Sequence, residues 1–217
     1  MQAEQGFVTK VFNWMFLGLM ATAVVSFIFA TNEFLMMSLL RNGWLMIALG
    51  IGLLVMVFNL SANAHKMSPG AAATNFFIYA ALNGAFLSSI FLIYTASSIF
   101  MVFCVTAATF GAMALYGATT KRDLSGIGSM AFMALLGLII AHVVNIFMHS
   151  EGLNSLINYA GVLIFVALTA YDVQKIKRIG QQGNYHPNHA IIGALTLYLD
   201  FINLFLYLLR IMGGRRD

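Results

Sequence analysis

Residues 190–209 read AIIGALTLYLDFINLFLYLL, a run that is apolar on every helical face except at Asp200 and Asn203. A hydrocarbon core ~30 Å thick is crossed by about 20 helical residues, so this run is long enough to span a bilayer. A helix that is apolar all round is enclosed, by protein or by lipid. Working outward, six more runs of comparable length precede it, at 11–30, 44–60, 73–94, 99–117, 126–148 and 156–173. Between them stand turn and charge signals: Thr31-Asn32-Glu33, Arg41-Asn42-Gly43, the stretch from His65 to Gly70, Lys121-Arg122-Asp123, His149-Ser150-Glu151-Gly152, and the stretch from Lys175 to Asn188. The softest boundary is Thr95-Ala96-Ser97-Ser98. The expectation is an all-α polytopic membrane protein with seven transmembrane helices, folded as a single integral membrane domain over residues 1–217 with short loops.

The whole composition agrees. Of 217 residues, 61% are hydrophobic and 8% charged, and the mean hydropathy is +0.88. Soluble domains carry ~25% charged residues, so too little polar surface remains here to face water, and a soluble enzyme is excluded. With 2 Pro and 1 Cys, collagen-like and disulfide-rich classes are excluded as well. The first run follows Lys10, exceeds a signal-peptide core and lacks a small-residue cleavage site, so it is read as a retained span. Cys104 is read as a small side chain packed within an apolar run.

The net charge of +4 sits in the connections, where it sets orientation and indicates no nucleic-acid partner. Seven alternating spans put Lys10, Lys66, Lys121, Arg122, Lys175, Lys177 and Arg178 on one side, and Arg41, Arg210, Arg215 and Arg216 on the other. The N-terminus is therefore expected in the cytoplasm. A re-entrant last segment would return the C-terminal arginines to the basic side; the length of 190–209 favours a full crossing, with Arg210 snorkelling. Small residues four apart, Ala107 with Gly111 and Gly137 with Ala141, are expected to let helix backbones approach closely. No nucleotide-binding, zinc-peptidase, CxxC or GxSxG signature is present.

Chemistry is expected where charge lies at membrane depth. Asp200, near the middle of its run, costs at least about 2.5–3.5 kcal/mol to insert when ionised, so it faces the interior, holds a proton or finds a partner. The second candidate is Asp172, in Thr169-Ala170-Tyr171-Asp172-Val173-Gln174-Lys175. If its helix continues a turn or two past Val173, Asp172 lies ~10 Å below that end and Asp200 ~15 Å below the start of the next, antiparallel helix. Two carboxyls meeting at that depth would share one proton; its loss would push the helices apart or recruit a cation. His142 reads as a proton relay, a cation ligand or, more simply, a satisfied core histidine. The asparagines at 59, 63, 75, 83, 145, 158 and 203 are read mostly as helix bridges, with Asn203 a secondary polar contact to the pair. The remaining histidines match no zinc spacing.

Four ordered motifs carry a resemblance: Phe103-x-x-Thr106-x-x-x-Phe110-Gly111; Tyr116-Gly117-x-Thr119-Thr120-Lys121-Arg122-Asp123-Leu124-Ser125-x-x-Gly128; Thr169-Ala170-Tyr171-Asp172-x-Gln174-Lys175; and the run from Leu195 to Phe205. Together they resemble the Bax inhibitor-1, or transmembrane Bax inhibitor motif, family in its bacterial branch. The resemblance implies a C-terminal helix enclosed by the other six, a bacterial inner-membrane location, and a calcium leak favoured by acidification. It also implies that Asp172 and Asp200 form the pH sensor of the ion pathway, with calcium as the transported ion and no resident cofactor. Some bacterial relatives carry an arginine cluster at the end of the second helix that latches onto the aspartates. Here that region reads Asn59-Leu60-Ser61-Ala62-Asn63-Ala64-His65-Lys66, so the latch is missing or falls to Lys66 in a different geometry.

Two other function classes compete with the channel reading. Tyr171-Asp172 followed by Asp200 has the outline of an intramembrane aspartyl protease, but that class, by resemblance, carries Gly-x-Gly-Asp where this chain has Leu197-Tyr198-Leu199-Asp200. A membrane scaffold acting by protein contact is the third. A retinal-binding reading fails because no lysine lies in the last run.

Overall fold

The computed structural model describes residues 2–41, 43–183, 186 and 188–216. Asn42 of the expected second turn, and Asn184, Tyr185 and Pro187 of the expected last linker, lie outside the described residues. Among those described, the chain is helical without strands: α1 Gln2–Thr31, α2 Glu33–Arg41, α3 Gly43–Asn63, α4 Pro69–Leu87, α5 Ile90–Ile93, α6 Ala96–Thr119, α7 Ser125–Met148, α8 Glu151–Gln182 and α9 His189–Met212. Seven segments are long and apolar enough to cross a membrane, with α4 and α5 counting as one. In lipid every backbone N–H and C=O must be paired internally, and the helix is the open-chain way to do that.

The spans are longer than the apolar runs suggest, because helices continue past the hydrophobic stretch into the interface. α8 runs on to Gln182, past Lys175, Lys177 and Arg178. α1 begins at Gln2, and Phe7 ahead of the apolar run is buried. The run 73–94 is broken: Ser88 Oγ donates to Ala85 O at 2.6 Å and Ser89 Oγ to Phe86 O at 3.0 Å. Paired serines bonding back to the backbone loosen the helical ladder, and the chain resumes as the single turn α5. Thr95 then caps α6, its Oγ1 accepting the Ser98 N–H at 3.3 Å. The expected sequence pattern gave no helix between the first two spans, yet α2 forms there, burying Met36 and Leu39 on one face.

The chain divides into two compact units. The first comprises residues 1–94, 180–198 and 216–217. Here α1 packs on α4 at Gly84, where a Cβ would meet the Thr22 carbonyl oxygen at 2.5 Å. Asn188, fully buried before α9, donates from Nδ2 to Ala64 O at 2.7 Å and Met67 O at 2.8 Å, fastening the α9 start to the α3–α4 connection.

The second unit comprises residues 95–179 and 199–215. α6 buries a stripe at Ser98, Val102, Thr106, Phe110, Ala114 and Gly117. Gly117 lies directly on the Ala170 carbonyl of α8, Gly128 of α7 lies under the Tyr171 ring, and Gly161 of α8 lies under the Tyr207 ring of α9. These are the close approaches, and the pairs expected from four-residue spacing are not among them. Ala107 and Gly111 sit on the exposed face of α6 and Gly137 on that of α7, with nothing within 4 Å of a Cβ built on either glycine. Cys104 shares the outer face of α6 and is exposed, not packed. Four-residue spacing identifies a face of a helix but not which way that face points.

The last helix is continuous to Met212, and the tail beyond it reaches the start of α6, where Thr95 N–H donates to Gly214 O at 3.1 Å and Gly214 N–H to Ser98 Oγ at 2.7 Å. α9 is therefore an unbroken helix long and apolar enough to cross, as the length of the run suggested. It is also the most enclosed span, 61% buried over its apolar window against 11–44% for the others.

Candidate functional site

Asp172 and Asp200 come together in the second unit. Asp172 lies ~15 Å from the end of α8 and Asp200 ~17 Å from the start of α9, by a rise of 1.5 Å per residue. Antiparallel neighbours place such positions at one level. The two side chains lie within interaction range of one another, and two carboxyls hydrogen-bond only with a proton between them. Asp172 is 9% exposed and Asp200 4%. Asp200 Oδ2 is buried with no donor group in reach. Lys175, one turn along α8 and exposed, is the cation that acts on Asp172.

The surroundings of the pair are built from both faces. On α9, Phe201 meets Phe103 and Phe110 edge-on, with ring centroids 5.5 and 5.4 Å apart, which fixes the rotation of the helix against α6. On α8, Gln174 spans to the α6–α7 connection. Its Oε1 accepts from Leu124 N–H at 2.9 Å and its Nε2 donates to Arg122 O at 2.8 Å. Arg178 donates to Asp123 Oδ1 at 2.6 Å and to Ser125 Oγ at 3.1 Å, and Lys177 to Ala118 O at 2.6 Å. The Arg178 and Ser125 hydrogen bonds hold the Asp123 carboxyl down at about 2. The connection is thus clamped onto α8 two to six residues beyond Asp172.

The secondary candidates do not gather at the pair. His142 is a satisfied histidine: its Nδ1 lies 3.2 Å from Leu138 O and its Nε2 3.3 Å from Arg210 Nη1. Arg210 can only donate, so Nε2 accepts and Nδ1 carries the hydrogen. Arg210 also stacks 5.5 Å over the Tyr207 ring. Asn203 spends its amide on Leu199 O of its own helix at 2.8 Å. Lys66 is exposed at the end of the short turn Ala64–Lys66. Of the asparagines read as bridges, Asn83 is one, whereas Asn75 bonds within its own helix and Asn145 caps the next.

A further polar node, not among the expected site residues, lies around Tyr198. In the first unit the Tyr198 hydroxyl lies 2.6 Å from Thr22 Oγ1 and accepts from Asn83 Nδ2 at 2.8 Å. Thr22 Oγ1 in turn donates to Ala80 O at 2.9 Å, so Tyr198 donates to Thr22 and every member is satisfied. Phe76 and Tyr79 close edge-on around the Tyr198 ring at 5.9 and 5.8 Å. A tyrosine inside an apolar run, needing a partner for its hydroxyl, was the available signal. Among the described residues no group of three or more His, Cys, Asp or Glu is placed to hold a metal.

Comparison with known proteins gives a consistent result. A family described as inhibitor of apoptosis-promoting Bax1 matches residues 4–217. The inner membrane protein YbhL of Escherichia coli (strain K12) is 50% identical, covering 98% of this chain and 93% of that protein. Uncharacterised proteins of Borreliella burgdorferi and Deinococcus radiodurans are 43% and 40% identical, each covering 97% of this chain, and 93% and 91% of their own lengths.

Proposed function

Since the chain belongs to the Bax inhibitor-1 family of membrane proteins, we propose that it is a pH-regulated calcium leak whose gate is the Asp172–Asp200 pair. The observation that carries this reading is a buried carboxyl pair at membrane depth with Asp200 Oδ2 lacking any donor. Ionisable residues at that depth belong to ion or proton pathways by default. The sign is the one the family resemblance implies, a leak favoured by acid; a proton on the pair lowers its charge, and conduction needs cation binding weak enough to let the ion leave. The excess of Lys and Arg on one side supports a cytoplasmic N-terminus, and the similarity to an inner membrane protein supports the bacterial inner membrane, which the chain would occupy as a single membrane domain. A protease at this pair is disfavoured by Leu197 and Tyr198, both fully buried, where a substrate backbone needs room.

The test is calcium flux from proteoliposomes compared at about pH 6 and about pH 8, on either side of neutrality. Wild type leaks more on acidification, and Asp172→Asn and Asp200→Asn lose the pH dependence. Flux equal to that of empty liposomes at every pH overturns the reading.

A further inference from the structure

An unusual feature of the first unit lies at α2, the short helix between the first two spans. α2 joins α1 to α3 and is ~14 Å long, under half of the ~30 Å core, so a helix tied between two spans at that length lies at the bilayer surface. Its inner face buries Met36 and Leu39. Its outer face carries Phe34, 80% exposed, with Met37 and Arg41 at helical spacing along the same side. Phe34, and Trp44 at the start of α3, are exposed apolar rings of the kind that settle at the headgroup level.

An open groove runs along this side, lined by Thr31, Asn32, Glu33, Phe34, Met37 and Arg41. It presents a carboxylate at one end and a guanidinium at the other, ~12 Å apart along the helix axis. Neither has an ion pair among the described residues. Asn32 Oδ1 accepts the Leu35 N–H at 3.1 Å, capping α2 and leaving the amide nitrogen free to donate into the groove.

We propose that this groove binds the headgroup of a zwitterionic phospholipid with a primary ammonium, as in phosphatidylethanolamine. Arg41 takes the phosphate, Glu33 takes the ammonium, and Phe34 and Met37 lie against the glycerol and upper acyl chain. The charge pattern selects the occupant. A purely anionic headgroup brings its charge against Glu33. A choline headgroup has no N–H to donate to Glu33, so it loses the charge-assisted hydrogen bond.

The experiment is native mass spectrometry of the purified full chain in detergent, titrated in turn with phosphatidylethanolamine, phosphatidylcholine and phosphatidylglycerol. The expected result is retention of ethanolamine lipid over the other two by about five-fold, the upper scale of one solvent-exposed ion pair. Glu33→Gln and Arg41→Gln, both exposed and remote from the core, each reduce ethanolamine binding to the choline level. Preferential binding of phosphatidylglycerol that depends on Arg41 alone overturns the proposal in favour of a simple anion site. Equal binding of all three lipids, or no response to either substitution, overturns it outright.

Discussion

Gly117 of α6 sits directly on the carbonyl of Ala170, two residues before Asp172 on α8. No Cβ fits there without moving one backbone, and overpacking of this kind costs about 1–3 kcal/mol. Gly117→Ala is therefore expected to destabilise the protein by that amount and to displace the segment carrying Asp172. Gly111→Ala, on the exposed face of the same helix with nothing within 4 Å, is expected to leave stability unchanged or raise it by up to about 1 kcal/mol, since alanine is the better helix former. Unfolding of both variants in detergent checks the contrast, and equal losses would refute this reading of where α6 packs.

Tyr198→Phe removes one hydroxyl from the first unit's polar node and leaves the ring in its edge-on cage. Asn83 Nδ2 loses its acceptor and Thr22 its donor, so a loss of about 1–3 kcal/mol is expected. Thr22→Val removes the other end of the same bond. A double-mutant cycle between the two should show strong coupling in thermal unfolding, because members of one network do not contribute independently. Additive losses would mean that the node is no network.

These residues show what the sequence could and could not reveal. The seven spans were legible because lipid forces long apolar helices, and Asp200 because an ionisable residue stands out against nineteen apolar or neutral neighbours in its run. Asp172 followed from helix rise together with the scarcity of other charge at membrane depth. The Tyr198–Thr22 bond joins positions 176 apart, and single hydroxyls scattered through apolar runs carry no period that would pair them. α2 was hidden because nine residues are too few for a span-length hydropathy signal. Gly111 and Gly117 were indistinguishable by spacing, although the polar members of the packed stripe, Ser98 and Thr106, mark the inward face of α6.

The α6–α7 clamp has its own pH window. The Asp123 carboxyl is held at about 2, below its ordinary value of 3.8, chiefly by its hydrogen bonds from Arg178 and Ser125. A depressed carboxylate contributes stability that is present above its unfolded value and disappears as pH falls through the folded one. The clamp should thus stay intact through mild acidification and open only between about pH 4 and pH 2. Asp123→Asn is accordingly expected to leave the pH midpoint of calcium flux where it is in wild type. A shifted midpoint would show that the clamp, and not the buried pair alone, senses protons.

At the pair, substitutions by Asn and by Ala should part company. An asparagine at 200 donates its amide hydrogen to Asp172 and so imitates the proton-sharing state at every pH, keeping the α8–α9 contact. An alanine there leaves Asp172, only 9% exposed, without its hydrogen-bond partner, a change that costs about 1–3 kcal/mol or more for a charged group. Asp200→Asn should therefore retain near wild-type stability yet lose pH response, and Asp200→Ala should lose stability as pH rises. Infrared spectroscopy reads the proton itself: wild type should show a protonated-carboxyl band that fades as pH is raised, altered by Asn at either position. The acid form holds the bound proton, so the interaction is present on the acid side and is lost on the alkaline side. A wild-type spectrum without that band on the acid side, or one that Asp172→Asn leaves untouched, would remove the shared proton from the mechanism.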